Sequence, residues 1–166
     1  MKIQQQGGAI MFIRKAEIGD SARIGELLGQ VLEVHHKARP DLFRGGVKKY
    51  TDDELAAILC DENRPIFVAE DADGFVVGYA FCIFVCHIND NILTDIKTLY
   101  IDDLCVDENC RGKGIGKSLY NYVVDYAREE NCYNVTLNVW ADNTSALGFY
   151  ESIGLHKQKI GMELIL

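Results

Sequence analysis

Apolar and polar positions along the chain predict a single sheet of several strands interleaved with helices. Apolar runs typical of buried strands span residues 10–16, 65–71 and 75–86, and further strands are predicted at about 95–107 and 134–140. Helical spacing of apolar residues predicts four helices, at about 20–36, from Thr51 onward, after a glycine-rich turn at 112–116, and at about 143–152. The final stretch, residues 155–166, is predicted to add one or two closing strands.

Local signals fix several ends of these elements. Thr51 followed by Glu54 has the spacing of a capping box, which predicts a helix start. Asp73-Gly74 lies between two apolar runs and predicts a hairpin turn. Together the elements predict one mixed α/β (α+β) domain over residues 10–166, with an antiparallel-rich sheet. Residues 1–9 are polar and glycine-containing, and we interpret them as a leader or tag remnant.

Composition and charge limit the binding partners and the cellular compartment that we expect. The 166 residues carry a net charge of −8, which disfavours a nucleic-acid-binding role. The longest apolar run, residues 79–86, is too short to span a bilayer, so no membrane partner is expected. Six cysteines without a secretory signal predict reduced thiols in a cytoplasmic protein. Cys82 and Cys86 lie too far apart on one strand to share a zinc ion, so no metal is expected.

The glycine-rich turn CRGKGIGKS, residues 110–118, has the composition of a phosphate-binding loop. A nucleoside-triphosphate loop would need glycine at position 111, where the chain has Arg111, and a dinucleotide fingerprint would need glycine at position 117, where it has Lys117. The pattern [QR]-x-x-G-x-[GA] is satisfied in full by residues 111–116. Glycines before a helix start expose several N–H groups and a positive dipole end to an anion.

With this turn in place, the segments LYIDDLCVDENCRGKGIGKSLYNYVVDYA and VTLNVWADNTSALGFYESIGL resemble the GNAT superfamily of N-acetyltransferases. The resemblance covers residues 98–155 and implies a GNAT-like sheet with splayed central strands, flanked by about four helices. It also implies acetyl-CoA as cosubstrate, with its pyrophosphate on the turn. The implied pyrophosphate-binding residues are Arg111, Gly112, Lys113, Gly114, Ile115, Gly116 and Lys117.

The resemblance also assigns roles near the thioester. The pantetheine arm would pair with the strand edge at Leu104, Cys105 and Val106, and Asn143 would contact the same arm. Tyr150 is the implied acid that protonates the leaving thiolate, because a phenol is protonated at neutral pH. Asp102 or Asp103 is the implied base. Since successive strand residues face opposite sides, we expect only one of them to face the substrate, and Asp102 is favoured.

The acceptor is left open by the sequence. Candidate acceptor-contacting residues are His35, His36, Tyr79, Phe81 and Tyr100. The expected activity is direct transfer of an acetyl group to a primary amine of a small molecule. The alternatives are transfer to a protein N-terminus or lysine, and non-catalytic binding of acyl-CoA. The apolar tail MELIL and the edge strands are compatible with a homodimer.

Overall fold

The computed structural model describes residues 2–6 and 9–166 of the chain. In this part of the chain, six strands form one sheet in sequential order. The strands are β1 (Lys2–Gln6), β2 (Ala9–Lys15), β3 (Ile66–Glu70), β4 (Val76–Cys86), β5 (Lys97–Val106) and β6 (Asn134–Leu137). The helices described are α1 (Ser21–Ala38), α2 (Asp52–Leu59), α3 (Ile115–Glu129) and α4 (Thr144–Ser152). The expected mixed fold with four helices is confirmed.

The sheet is antiparallel from β1 to β5, and only β5 and β6 run parallel. The β5–β6 pairing covers residues 98–101 and 134–137 and stops there. Strand β5 nevertheless continues to Val106 while paired with β4 on its other side. Beyond Ile101 and Leu137 strands β5 and β6 therefore separate, and β5 has one open edge.

Helices cover both faces of the sheet, and each face has its own apolar cluster. One cluster joins α3, through residues such as Leu119 and Val123, to Leu99 and Ile101 of β5. The other joins α1 and α2 to the opposite face, where Cys105 lies. Burying both faces explains why β3 and β4 are nearly continuous apolar runs rather than alternating ones.

Helix ends follow the signals in the sequence. At α2, the Thr51 hydroxyl accepts from the Glu54 N–H and the Glu54 carboxylate accepts from the Thr51 N–H, so the expected capping box is confirmed. At α4, the Asn143 side chain accepts from the Ala146 N–H at 3.1 Å. Asp20 precedes α1 but does not cap it with its side chain, because its carboxylate instead accepts hydrogen bonds from Arg14.

Two ends of the sheet differ from the expectations. Strand β1 was not predicted, because the polar run KIQQQ lacks strand periodicity; it pairs with β2. Met1, Gly7 and Gly8 lie outside the described residues, and the leader interpretation of residues 1–9 stays a prediction. The prediction of closing strands was wrong: residues 155–166, all described, contain no strand. Strand β6 and its pairing with β5 both end at Leu137.

The tail is exposed rather than packed. Ile160, Met162, Leu164 and Ile165 each have about three quarters or more of their surface exposed. The tail is held by an ion pair between Glu163 and Arg39. A homodimer stays a prediction.

In the described residues, no helix is both long enough and apolar enough to cross a membrane. The six cysteines are free thiols.

The contact between β4 and β5 gives a stability prediction at Gly78. A Cβ added there would lie 2.8 Å from the Cys105 carbonyl oxygen and 3.1 Å from Leu119 Cδ1. We expect Gly78→Ala to lower the free energy of unfolding by about 1–3 kcal/mol, as overpacking does. Chemical denaturation measures this loss.

A matched control is Gly25→Ala in α1, where an added Cβ meets nothing within 4 Å. This change should leave stability unaltered or raise it, because alanine favours the helix by about 1 kcal/mol. Equal effects of the two substitutions would contradict the close approach at Gly78.

Candidate active site

An extra residue in β5 shapes the centre of the site. Phe81 of β4 pairs with Asp103 and the next residue, Cys82, pairs with Ile101, so Asp102 is left without a partner. Such a β-bulge reverses which side chains face which side of the sheet. Leu99 and Ile101 pack against α3 before the bulge, whereas Leu104 and Val106 do so after it.

The bulge brings both carboxylates to one place. Lys49 Nζ lies 3.2 Å from Asp102 Oδ2 and 3.4 Å from Asp103 Oδ2. The expectation that only one of the pair would face this side was wrong, because it assumed a regular strand. Tyr79, on the neighbouring β4, donates its hydroxyl to Asp103 Oδ2 at 3.2 Å. Two acids, one lysine and one tyrosine thus form a single cluster, which we call the carboxylate cluster.

Burial governs the electrostatics of this cluster. The Asp103 side chain is 9% exposed, against 28% for Asp102. Desolvation raises the pKa of Asp103 above its ordinary value, and the positive charge of Lys49 opposes that rise. Desolvation works against the charged form of Lys49 as well, yet the negative charges of Asp103 and Asp102 raise the lysine pKa overall. Burial also raises the pKa of Tyr79, which keeps its hydroxyl proton for Asp103.

The open edge of β5 presents backbone groups in a definite order. Cys105 turns its carbonyl towards β4, as its closeness to Gly78 shows, and Asp107 donates its N–H to the Val77 carbonyl on the same side. The residues between them, Leu104 and Val106, therefore direct their N–H and C=O groups to the open edge. Arg111 Nε donates to the Val106 carbonyl at 3.2 Å from that edge.

The glycine-rich turn lies at the end of this edge and starts α3. Gly112 and Gly114 have φ values of +77° and +80°, a left-handed conformation that favours glycine. The first helical hydrogen bond runs from the Ser118 N–H to the Gly114 carbonyl. The N–H groups of residues 115–117 precede it and have no acceptor within the helix. This turn can hold an anionic group through backbone donors and the helix dipole.

Tyr150 lies on α4 near the carboxylate cluster. Burial raises the pKa of Tyr150 to about 12, and the negative charge of Asp103 contributes to the shift. The phenol is therefore protonated at any physiological pH and is within electrostatic range of Asp103. Phe149, its neighbour, packs over the start of α3, where a Cβ on Gly116 would lie 3.6 Å from Phe149 Cζ. Asn143 uses its carbonyl oxygen to cap α4, which leaves its NH₂ group for other contacts.

The acceptor candidates separate into three groups. Tyr79 and Phe81 are 0% and 2% exposed, so they pack in the core beneath the carboxylate cluster and do not line an open pocket. Tyr100 accepts a hydrogen bond from Asn138 across the separating strands. His35 and His36 hold the loop that follows α1: the His35 ring lies tilted against the Phe43 ring at 4.9 Å, and His36 Nδ1 lies 2.7 Å from the Phe43 carbonyl oxygen.

Two functional contacts were missed by the sequence analysis. Lys49 lies in the loop between α1 and α2, far from β5 in sequence, and no motif marks it. Asp107 follows β5 and is 6% exposed; it pairs with Arg23 of α1 and accepts from the Asn109 N–H. That pair anchors the end of β5 before the glycine-rich turn, and an acid directly after a strand was its only signal. Across residues 2–6 and 9–166, no cluster of three or more potential ligands could hold a metal ion.

Comparison with known proteins agrees with this geometry. The family model described as "Acetyltransferase (GNAT) family" matches residues 31–155, which include the carboxylate cluster, the open edge and the glycine-rich turn. The chain belongs to this family. It is therefore an acetyl-CoA-dependent acyltransferase that transfers an acetyl group to an amine.

Several relatives match this GNAT chain over nearly its whole length. A glucosamine 6-phosphate N-acetyltransferase of Arabidopsis thaliana is 28% identical over 153 residues, 90% of this chain and 93% of the relative. A crystal structure of that enzyme type from the same plant gives a TM-score of 0.67 at 26% identity, covering 93% and 97% of the two chains. A mutant of the BH1408 protein from Bacillus halodurans gives a TM-score of 0.89 at 32% identity, with coverage of 93% and 99%.

The cluster makes a direct prediction about the Asp103 carboxyl. Because desolvation outweighs the Lys49 charge, its pKa should exceed the ordinary 3.8. Lys49→Met should raise it further by removing the opposing charge, as carbon-13 NMR titration of aspartate carboxyls would show. Lys48→Met is the control, because Lys48 pairs with Asp52 instead. A titration midpoint at or below 3.8, or equal shifts in the two variants, would contradict this electrostatic account.

Proposed function

We propose that this GNAT protein transfers an acetyl group from acetyl-CoA directly to a primary amine of a small molecule. The observation that carries the proposal is the end of β5–β6 pairing at Ile101 and Leu137, while β5 continues to the glycine-rich turn. An open strand edge that leads from two carboxylates to free helix N–H groups suits a long thioester ending in a pyrophosphate.

The residues fit the donor. Backbone N–H groups at 115–117 and the glycines at 112 and 114 would hold the pyrophosphate, and the open-edge groups of Leu104 and Val106 would pair with the amides of the pantetheine arm. Arg111 and Lys117 add positive charge near the turn. The Asn143 NH₂ group is a further donor towards the same arm. Acetyl-CoA itself supplies the activated acetyl group.

The carboxylate cluster and Tyr150 supply the proton transfers. Asp103 accepts the proton of the acceptor ammonium, because burial makes it a stronger base than an exposed aspartate. Asp102, more exposed, attracts the ammonium and holds it beside Asp103. The Leu104 N–H donates to the developing oxyanion. Tyr150 gives its proton to the leaving thiolate, since burial keeps the phenol protonated.

The loop over the site favours a small acceptor. Residues 39–50 contact the segment after β6 and the tail: Phe43 packs edge-on against Trp140 at 5.5 Å, and Arg39 pairs with Asp41 and Glu163. Lys49, in the same loop, forms ion pairs with both carboxylates. An extended peptide would need an open groove here. Transfer to a protein N-terminus or lysine, and binding without transfer, are the competing functions.

Turnover across a panel of acceptors tests the proposal. Release of free coenzyme A is measured with acetyl-CoA and either small amines, amino sugars and their phosphates, or peptides with free N-termini and lysines. Small amines should give higher kcat/KM than every peptide. Preference for peptides would support the protein-acceptor alternative, and binding of acetyl-CoA without transfer to any acceptor would support a non-catalytic role.

Tyr150→Phe is the chemical control in the same assay. We expect it to lower kcat by roughly 10²-fold, the effect of losing a general acid, with little change in coenzyme A affinity. Tyr133→Phe is the matched variant, because Tyr133 is 74% exposed on the surface. An unaltered kcat in Tyr150→Phe would leave Tyr150 as a packing residue.

The glycine-rich turn makes a separate prediction about the donor. Gly114→Asp places a carboxylate at the start of α3, so calorimetry should show coenzyme A affinity falling by at least about tenfold through charge repulsion. Gly74→Asp is the matched control: its φ is +79°, but it lies at the β3–β4 hairpin turn. Equal affinities in the two variants would contradict the assignment of the pyrophosphate to this turn.

A further inference from the structure

Lys49 is the cation that occupies the carboxylate cluster. Its Nζ contacts Asp102 and Asp103 together, and its side chain is 33% exposed. The adjacent Lys48 behaves differently: its side chain is 73% exposed and pairs with Asp52, four residues further along the chain. Two neighbouring lysines thus have the same chemistry but different surroundings, and only one of them enters the site.

The Lys49 amine lies where an acceptor amine would have to lie in the proposed function. It lies on the two carboxylates at the bulge, directly before the open edge formed by Leu104 and Val106. The Tyr150 phenol is close enough to Asp103 for the carboxylate charge to raise its pKa. A primary amine, a base, backbone donors and an acid are therefore already assembled within one chain.

We propose that Lys49 is itself an acetyl acceptor, so that the protein acetylates its own Lys49 Nζ when no better amine is present. This rests on the proposed function, because the acetyl group comes from acetyl-CoA. The Lys49 ammonium gives one proton to Asp103, its nitrogen forms a C–N bond with the acetyl carbon, and the C–S bond breaks. Tyr150 protonates the thiolate and then takes the second proton from the Lys49 nitrogen, while Asp103 releases the first proton to solvent. The products are acetyl-lysine, coenzyme A and one released proton.

The modification would change the acceptor site. Acetyl-lysine carries no positive charge, so both carboxylates lose the cation that Lys49 supplies. An incoming ammonium would then meet no competing cation at Asp102 and Asp103. Self-acetylation therefore converts a site occupied by its own lysine into one whose two acids have lost that cation.

Mass spectrometry of the purified full chain tests the proposal. The protein is incubated with acetyl-CoA and no added amine, and peptides containing residues 48 and 49 are quantified over time. Acetylation at Lys49 should proceed at least about tenfold faster than at Lys48, since Lys49 reacts within the site. Its rate should not depend on protein concentration. Tyr150→Phe should slow it, and Lys49→Arg should remove it, whereas Lys48→Arg should not alter it.

A small acetylating reagent provides the second readout. With N-hydroxysuccinimidyl acetate and no acetyl-CoA, Lys48 should react faster than Lys49, because Lys49 is shielded and ion-paired. Reversed selectivity between the reagent and acetyl-CoA would establish that the site directs the modification. Equal labelling of both lysines by acetyl-CoA, or preference for Lys48, would overturn the proposal.

The same samples separate this proposal from the proposed function. Coenzyme A release with the amine panel is measured in parallel. Turnover on external amines without Lys49 acetylation would overturn self-acetylation and leave the proposed function standing. Lack of both, in protein that binds coenzyme A by calorimetry, would overturn both proposals. Thermal melts of Lys49→Arg exclude misfolding as the cause of lost labelling.

Discussion

The site depends on strand β5 pairing along its whole length with β4 but only in part with β6. The single unpaired residue, Asp102, lets β5 keep its hydrogen bonds to β4 while its side-chain alternation reverses. Without that bulge, the residues after Ile101 would direct apolar Leu104 where Asp103 now lies. One extra residue thus brings both acids to Lys49 and places apolar groups against α3.

The same strand leaves an open edge that, in the proposed function, the extended donor completes. Leu104 and Val106 direct backbone groups to an edge that β6 has left, and Arg111 satisfies the Val106 carbonyl from the side. Polar backbone groups at a partly buried edge need partners, and a ligand with amides spaced along a chain can supply them. The ion pair between Arg23 and Asp107 holds the far end of this edge.

Much of this arrangement could be predicted from local sequence, because it depends on local physics. The capping box at Thr51, the glycines at 112 and 114 and the amphipathic α3 are set by neighbours within a few residues. The bulge at Asp102 could not be predicted, since it follows from register against β4. Lys49 was missed for the same reason: it meets Asp102 only after the chain has folded. The tail was wrongly predicted as a strand because an apolar pattern does not show which strand would pair with it. Residues 155–166 pair with no strand of the described sheet.

Lys49 resolves an electrostatic difficulty that the bulge creates. Two carboxylates placed side by side, one of them largely buried, would repel each other and raise the cost of keeping Asp103 charged. The Lys49 ammonium and the Tyr79 hydroxyl compensate that charge. Removing the cation alone would leave the buried Asp103 poorly paired, which is destabilising. In the proposed function, an acceptor ammonium that takes the place of Lys49 would keep both carboxylates paired, so exchange of one amine for another would avoid that cost.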